Sequence, residues 1–231
     1  MSSWVGFSVG LLGSGYLLGI GGSPDVFSPD IHGILPQSNS KRIFLFMSRA
    51  PGEPLDTKWK YLDEAQKISI REQLESIMDK FRHLPAPPAE EADAVLGGGN
   101  PRRCKDVRRQ IRVAEKPISN EHDFNISLTS NKQRTRSGKL AMIESYLETS
   151  HQVVLTHADL RLRNIMVAVA SQLVLNLHGL SGCQVRITGI LDWEMCGWYP
   201  EYWEYVKALH TITPGDGFDD WWAYLPRNIG V

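Results

Sequence analysis

The stretch VVLTHADLRLRNIMV (153–167), followed after a gap by ITGILDWEMCGWYPEYWEYVKA (187–208), decides the fold of this chain. The first segment opens with the apolar run 153–155 and closes with the apolar run 165–167, each of strand length, with a polar turn between them. The second segment repeats this design, because an apolar strand pattern ends at Asp192. Both segments therefore predict β-strands with polar side chains at their ends.

The polar residues of these turns have a specific spacing. His157, Asp159 and Asn164 form the pattern H-x-D-L-x-x-x-N, which resembles the catalytic loop of protein kinases with Ala158 in place of arginine. In that chemistry a carboxylate meets the substrate hydroxyl, and a short amide from the same loop meets Mg²⁺. We therefore expect Asp159 to be the base and Asn164 a metal ligand. Asp192, in Asp-Trp-Glu, is expected to bridge the metal to the nucleotide phosphates.

Each motif also has a purely structural interpretation. An isolated H-x-D pair is typical of a turn with an Asx hydrogen bond, and an aspartate after an apolar run is typical of a helix N-cap. His157 is favoured as a structural histidine that bonds to the catalytic turn, and Glu194 and Glu201 as residues that orient their neighbours. An α+β domain without phosphate chemistry is the corresponding structural alternative, but the two motifs in this order argue against it.

The sequence resembles the aminoglycoside phosphotransferase and choline kinase branch of the protein kinase-like fold, especially its fungal members. The matching segments are HADLRLRN (157–164), GILDWEMCGWYPEYWEYVKA (189–208), MSRAPGEPLDTKW (47–59) and, more weakly, DDWWAYLP (219–226). The resemblance covers residues 24–226. It implies an α+β fold that is mainly the helical C-terminal lobe, with a truncated small β lobe. It also implies Mg²⁺-dependent phosphoryl transfer from ATP or GTP to a small-molecule hydroxyl.

The resemblance divides the chain into three parts. Residues 1–23 are expected to be an atypical, loosely ordered amino end, 24–48 a remnant of the small lobe with the hinge strand, and 49–231 the catalytic lobe. The glycine cluster at 13–19 resembles a phosphate loop only superficially. The first lysine is Lys41, so the lysine and glutamate that clamp the nucleotide in this fold are unassigned. A pseudokinase or binding module that retains only the large lobe is therefore the alternative function.

The hinge between the lobes is predicted after the apolar strand 41–48, where Ala50-Pro51-Gly52 breaks the pattern. The resemblance implies that backbone groups of Ser48 and Ala50 meet the adenine edge. A plain interdomain turn is an equally good interpretation from sequence alone.

Helical periodicity appears in three further places. The apolar positions of 69–84 predict a core-packed helix that ends before Pro85. Leu140, Ile143 and Leu147 predict one helical face within 139–150, and a third helix is expected over 201–210, with its aromatic residues in the core. The apolar positions that predict the helix within 69–84 are Ile70, Leu74, Ile77, Met78 and Phe81.

Three segments lack a clear periodic pattern. The arginine-rich run 101–112 is favoured as a solvated face or loop over a site for an acidic or phosphate-bearing partner. Residues 168–186 form a long insertion between the two catalytic strands, where the resemblance implies a tight hairpin. Residues 197–200 are predicted to turn the chain before the third helix.

Composition limits the classes of partner. The formal net charge is −1 with 22% charged residues, so no basic field indicates binding to nucleic acid. The three cysteines, Cys104, Cys183 and Cys196, form no C-x-x-C pair, which favours a reducing, cytoplasmic compartment. Residues 4–22 are apolar, but they are rich in glycine and lack a preceding basic region, so neither a signal peptide nor a membrane span is expected.

Overall fold

The fold is known from a computed structural model, which describes residues 5–9, 29–37, 43–86, 95–99, 101–107, 111–129, 138–170, 184–211, 215 and 217–230. The strands are β1 (Val5–Val9), β2 (Ile31–Pro36), β3 (Ile43–Met47), β4 (Glu53–Pro54), β5 (Lys105–Val107), β6 (Ile111–Val113), β7 (Val153–Thr156), β8 (Ile165–Ala170), β9 (Gln184–Ile190) and β10 (Gly197–Pro200). The helices are α1 (Leu55–Lys58), α2 (Glu64–Arg82), α3 (Glu121–Thr129), α4 (Gly138–Tyr146) and α5 (Trp203–His210). Within these ranges the protein is α+β, as predicted.

The first sheet is antiparallel, with the strand order β1-β3-β2. Strand β3 confirms the strand predicted within 41–48, and its Leu45 belongs to the main hydrophobic core. Within the stretch expected to be loosely ordered, Val5–Val9 forms strand β1 and pairs with β3 from Val5↔Met47 to Val9↔Ile43. Apolar residues alternate in VGFSV, and this strand period outweighs the effect of the nearby glycines. The glycine cluster at 13–19 lies outside the described residues.

Helix α2 is the central helix of the large core. It begins at Glu64, five residues before the predicted segment, because Asp63 and Gln66 form a reciprocal capping box. The buried residues are those predicted from helical spacing: Ile70, Leu74, Ile77, Met78 and Phe81. Gln73 also fastens the helix to β9, since its amide donates to the Val185 carbonyl and accepts from the Ile187 N–H, both at 2.9 Å.

The two catalytic strands form an antiparallel hairpin. The register joins Ile165 to Ile190 and Val167 to Ile187, and it continues to Ala170↔Gln184. Residues 171–183 of the long insertion lie outside the described residues.

Strand β4 pairs with the other edge of β8, and Gly52 just before it has φ +92°. A Cβ atom at Gly52 would lie 2.2 Å from the Val167 carbonyl oxygen, so only glycine fits there.

The segment Gly197–Pro200 is a strand, so the turn predicted there is wrong. It pairs with β7 from Gly197↔Thr156 to Pro200↔Val153. On the other side, Gly97 and Trp198 exchange two backbone hydrogen bonds, of 2.8 and 2.9 Å. A partner on each side satisfies the backbone, and the proline stands at the end of the strand, where its missing N–H is tolerated.

The two other predicted helices differ in how far their apolar faces are covered. In α4 no residue is buried, and Ile143 and the following Leu147 are exposed, so the common face predicted there is not covered. In α5 Trp203 is buried, whereas Tyr205 and Val206 are exposed. Helical spacing identifies a common face, but only the neighbouring elements decide whether that face is covered.

The arginine-rich run 101–112 also differs from its prediction. Arg102 and Lys105 are buried, so a solvated face is wrong for these two positions. Their charges are accommodated by hydrogen bonds to backbone carbonyl groups.

Within the part of the chain that the structure describes, no helix is long and apolar enough to cross a membrane.

Candidate active site

The loop that carries Asp159 lies between β7 and β8, and it begins with an unusual backbone conformation. Ala158 has φ +61°, in the left-handed region that residues with a Cβ atom rarely adopt. Such conformations persist where the surroundings hold them, and they are common at functional sites. The loop ends in a 3₁₀ turn over Leu162–Asn164, in which the Asn164 N–H donates to the Arg161 carbonyl at 2.9 Å.

His157 is fully buried and connects the two catalytic motifs. Its Nε2–H donates to the Leu191 carbonyl at 2.9 Å, and its Nδ1 accepts from the Asp159 N–H at 3.2 Å. These bonds require the neutral tautomer with its proton on Nε2. Burial lowers the pKa of His157 to about 4, so the ring is neutral at physiological pH. In this position the His157 ring links the Asp159 loop to Leu191, which fits the structural role expected from the sequence.

The carboxylate of Asp159 is oriented at both of its oxygens. Arg161 Nη2 donates to Oδ1, and the side-chain amide of Asn164 donates to Oδ2 at 3.0 Å. The same amide nitrogen also donates to the Asp159 backbone carbonyl at 2.9 Å. With its nitrogen facing Asp159, Asn164 has its amide oxygen available as a ligand for a cation.

Leu191 joins Asn164 to Asp192. Its N–H donates to the Asn164 carbonyl at 2.7 Å, while its own carbonyl accepts the bond from His157. Asp192 follows directly, with φ 64° and ψ 58°, and it precedes a 3₁₀ turn over Trp193–Met195. The structure therefore brings the predicted base and both predicted metal ligands to one place.

Charged side chains of both signs surround Asp192. Burial raises the pKa of Asp192, and the charge of Asp159 raises it further, although Arg163 and Arg161 oppose this shift. Burial likewise raises the pKa of Glu194, with a further contribution from Asp192, and Lys105 opposes it. Asp192 thus lies close enough to Asp159 and Glu194 for their charges to interact, and a bound cation would neutralise this repulsion.

The donor set fits Mg²⁺ bound together with a nucleotide. In the described part of the chain no cluster of three or more His, Cys, Asp or Glu side chains is arranged to hold a metal. Mg²⁺ does not require such a cluster, because it usually takes one or two protein oxygens and completes its shell with phosphates and water. The Asn164 amide and the Asp192 carboxylate would supply these two protein oxygens.

Glu204 is a buried residue of this site that the sequence analysis missed. Its carboxylate accepts the His157 N–H at 2.6 Å, and the Ala158 N–H lies 3.2 and 3.3 Å from its two oxygens. Burial raises the pKa of Glu204 to about 7, although these bonds and Arg82 oppose the shift. The only signal in the sequence is a charged residue next to Trp203 on a predicted core helix.

The predicted nucleotide hinge lies at the end of β3. The Ser48 N–H donates to the Asp30 carbonyl at 2.8 Å, so this group is already used within the first sheet. A hydrogen bond between Ser48 and an adenine ring would therefore use the Ser48 carbonyl. Ala50 would be the second residue in contact with the ring. Lys41, the first lysine of the chain, lies outside the described residues.

Comparison with known families and structures adds to this geometry. A family model described as the phosphotransferase enzyme family (APH) matches residues 22–223. No curated protein matches the sequence. A thermostable mutant of aminoglycoside phosphotransferase APH(4)-Ia, in its apo form, is similar with a TM-score of 0.51 and 15% identity over 81% of this chain. A further mutant of that protein, in a ternary complex with AMP-PNP and hygromycin B, is similar with a TM-score of 0.54 and 15% identity over 87% of this chain.

At this level of identity the likeness shows the fold, and it confirms the predicted kinase-like architecture. The chain spans 57% and 63% of the lengths of these two solved proteins.

Proposed function

Because this chain belongs to the phosphotransferase enzyme family, we propose that it transfers the γ-phosphoryl group of ATP or GTP to a hydroxyl group of a small molecule. The observation that carries this proposal is the junction at Leu191. Its two backbone hydrogen bonds fix Asp192 beside the loop that holds Asp159 and Asn164. This arrangement supports the proposal, because phosphoryl transfer needs a base close to oxygen ligands for a metal ion.

Asp159 is the group that accepts the proton of the acceptor hydroxyl. The hydroxyl oxygen bonds to the γ-phosphorus while the bond from this phosphorus to the β–γ bridging oxygen breaks. The proton passes to Asp159, and the nucleoside diphosphate leaves. Positioning contributes most to such a reaction, and the bonds from Arg161 and Asn164 fix the direction of the Asp159 carboxylate.

Asn164 and Asp192 are the residues that would hold Mg²⁺. When bound there with the nucleotide, the ion neutralises charge on the phosphate oxygens. Around it, the main contribution of the chain is to keep Asp192 in its left-handed conformation and the Asn164 amide oxygen turned away from Asp159. Glu194 lies next to this site and adds to its negative charge.

The nucleotide and the acceptor are proposed as classes of compound. The ternary complex of the similar solved protein contains AMP-PNP and hygromycin B, which supports a nucleotide co-substrate and a small hydroxyl-bearing acceptor here. Ser48 and Ala50 are proposed to contact the nucleotide base. The described free cysteines, Cys104 and Cys196, are consistent with reaction in a reducing, cytoplasmic compartment.

The second candidate is a nucleotide-binding protein without turnover. It is favoured by the ion pair between Arg161 and Asp159, which already occupies one oxygen of the base. In this case nucleotide would bind through Asn164 and Asp192, but no proton would leave an acceptor. Binding and turnover must therefore be measured separately.

The test uses calorimetric titration with ATP and with GTP, with and without Mg²⁺, on wild type, Asp192→Ala and Asp159→Asn. We expect Mg²⁺-dependent binding in wild type, its loss in Asp192→Ala and its retention in Asp159→Asn. Asp79→Ala is the matched control, because Asp79 is an exposed carboxylate on α2. Unchanged affinity in Asp192→Ala would contradict the proposed site.

Turnover is then measured with a panel of aminoglycosides and small alcohols. Loss of the catalytic base is expected to reduce the rate about 10²- to 10⁴-fold in Asp159→Asn. Binding without turnover across the panel would favour the second candidate. A rate that does not depend on Asp159 would exclude the proposed mechanism.

A further inference from the structure

Two lysines are buried in the described part of the large lobe, Lys105 at 5% exposure and Lys207 at 4%. Lysine is rarely buried without a specific partner, because desolvation of the ammonium group is costly. Lys207 Nζ lies 3.2 Å from Asp106 Oδ1, which gives it a carboxylate partner. Lys105 makes a different contact, and this contact leads to the proposed active site.

Lys105 is held at both ends. Its Nζ donates to the backbone carbonyl of Glu194 at 2.7 Å, and its backbone N–H donates to the Tyr199 hydroxyl at 3.0 Å. The Glu194 carbonyl belongs to the 3₁₀ turn over Trp193–Met195, which starts directly after Asp192. Burial lowers the pKa of Lys105. The amino group can donate this hydrogen bond in both its charged and its neutral form, so the contact does not depend on that shift.

The segment that precedes Lys105 is fixed against β10 by close backbone contacts. Gly98 and Arg103 exchange two backbone hydrogen bonds of 3.0 Å, which fold this segment into a tight turn. A Cβ atom at Gly98 would lie 1.9 Å from the Cys196 carbonyl oxygen, and one at Gly197 would lie 2.5 Å from the Gly97 carbonyl carbon. Gly98 and Gly197 allow a close backbone contact that any residue with a Cβ atom would prevent. The backbone that leads to Lys105 is therefore held in place.

We propose that Lys105 is a positioning residue for Asp192, acting through the backbone of the Trp193–Met195 turn. The left-handed conformation of Asp192 is unfavourable for a residue with a Cβ atom, so it persists only where the surrounding structure holds it. On its amino-terminal side Leu191 is bonded to His157 and Asn164. Lys105 supplies the corresponding bond on its carboxyl-terminal side. The inference rests on the proposed function only in assigning Asp192 to the metal–nucleotide site.

The test compares Lys105→Met with Lys207→Met. Both variants remove one buried ammonium group, but only the first removes a bond to the 193–195 turn. The first readout is hydrogen exchange of the Cys196 amide, which donates to the Trp193 carbonyl at 3.0 Å within this turn. We expect faster exchange in Lys105→Met and wild-type exchange at this amide in Lys207→Met. Equal exchange in the two variants would overturn the proposal.

The second readout is the affinity for AMP-PNP with and without Mg²⁺. Residues that orient a metal ligand typically change metal affinity 10- to 100-fold, so we expect an approximately 10-fold loss of Mg²⁺-dependent affinity in Lys105→Met alone. If wild type shows no Mg²⁺-dependent binding, the proposed function fails, and hydrogen exchange still decides the role of Lys105.

If Lys105→Met does not fold, Tyr199→Phe removes only the hydroxyl that holds the Lys105 backbone, and faster Cys196 exchange is expected there. Unchanged exchange in Tyr199→Phe would then count against the proposal.

Discussion

His157 Nε2 donates a hydrogen bond to the backbone carbonyl of Leu191 at 2.9 Å, across 34 positions of sequence. This bond connects the loop of Asp159 to the strand end that carries Asp192. The histidine is fully buried, so the bond lies away from solvent. Together with the bond from the Leu191 N–H to the Asn164 carbonyl, it holds the two motifs against each other.

Replacement of His157 by phenylalanine is expected to destabilise the protein by about 1–3 kcal/mol, because the buried Leu191 carbonyl loses its partner. The measurement is urea denaturation at pH 7. His83→Phe is the control, since the His83 ring is 77% exposed. Equal denaturation midpoints for the two variants would show that the His157 bond contributes nothing to stability.

The neutrality of His157 also predicts a pH dependence. Its pKa is lowered from 6.5 to about 4 by burial, so the unfolded chain binds a proton that the folded chain does not. Its contribution to stability is complete above pH 6.5 and is lost as the pH falls towards 4. The difference in unfolding free energy between wild type and His157→Phe should therefore shrink over this interval. A constant difference from pH 7 to pH 4 would contradict a neutral, buried His157.

Glu204 is expected to have the opposite pH dependence. Its pKa is raised to about 7 from 4.5, chiefly by burial, so the folded chain binds a proton that the unfolded chain releases. Its contribution to stability is most favourable below pH 4.5 and declines as the pH rises to 7. Comparison of wild type with Glu204→Gln across this range measures the effect, and Glu201→Gln on the neighbouring turn is the control. A difference that grows more favourable to wild type with rising pH would refute the assignment.

Glu204→Gln should also slow turnover if the chain is a phosphotransferase. The amide can accept one of the two backbone N–H bonds from His157 and Ala158, but its NH₂ group opposes the other. The loop of Asp159 then loses part of its support, and we expect kcat to fall while nucleotide affinity changes little. Steady-state kinetics and calorimetry on the same preparation separate these two effects.

The glycine contact beside β10 predicts a contrast between two alanine variants. Gly98→Ala is expected to destabilise the fold by at least about 1–3 kcal/mol, because the new methyl group meets a backbone carbonyl. Gly33→Ala meets no atom within 4 Å and is expected to be neutral or slightly stabilising. Urea denaturation of both variants is the measurement. A neutral Gly98→Ala would mean that the two segments are not in close contact.

Asp220 ties the C-terminal segment to the first helices of the large lobe. Its carboxylate accepts from Trp59 Nε1 at 2.7 Å and from Lys67 Nζ on the other oxygen. Burial acts to raise the pKa of Asp220, but these bonds outweigh it, and the pKa is lowered. Asp220→Asn is therefore expected to lower stability at neutral pH, and the loss should diminish as the pH falls below the ordinary aspartate pKa of about 4. Asp219→Asn, at the adjacent position, is the control for charge.

Local patterns predicted much of the framework. Apolar runs predicted β7, β8 and β9 and the buried face of α2, because a period in the side chains directly reflects strand or helix geometry. The same method misjudged Gly197–Pro200, whose turn-like composition is compatible with a strand once partners lie on both sides. It also identified a common apolar face in the α4 region, but periodicity alone does not show what covers a face.

The sequence alone determined which residues carry the proposed chemistry, because Asp159, Asn164 and Asp192 belong to short motifs with fixed spacing. Only the tertiary structure decided how they are held. Glu204 reaches the Asp159 loop across 47 positions, and Lys105 reaches the Asp192 turn across 89. Both residues bind backbone groups. A backbone N–H or carbonyl is the same at almost every residue, so no side-chain pattern marks the position that receives such a bond.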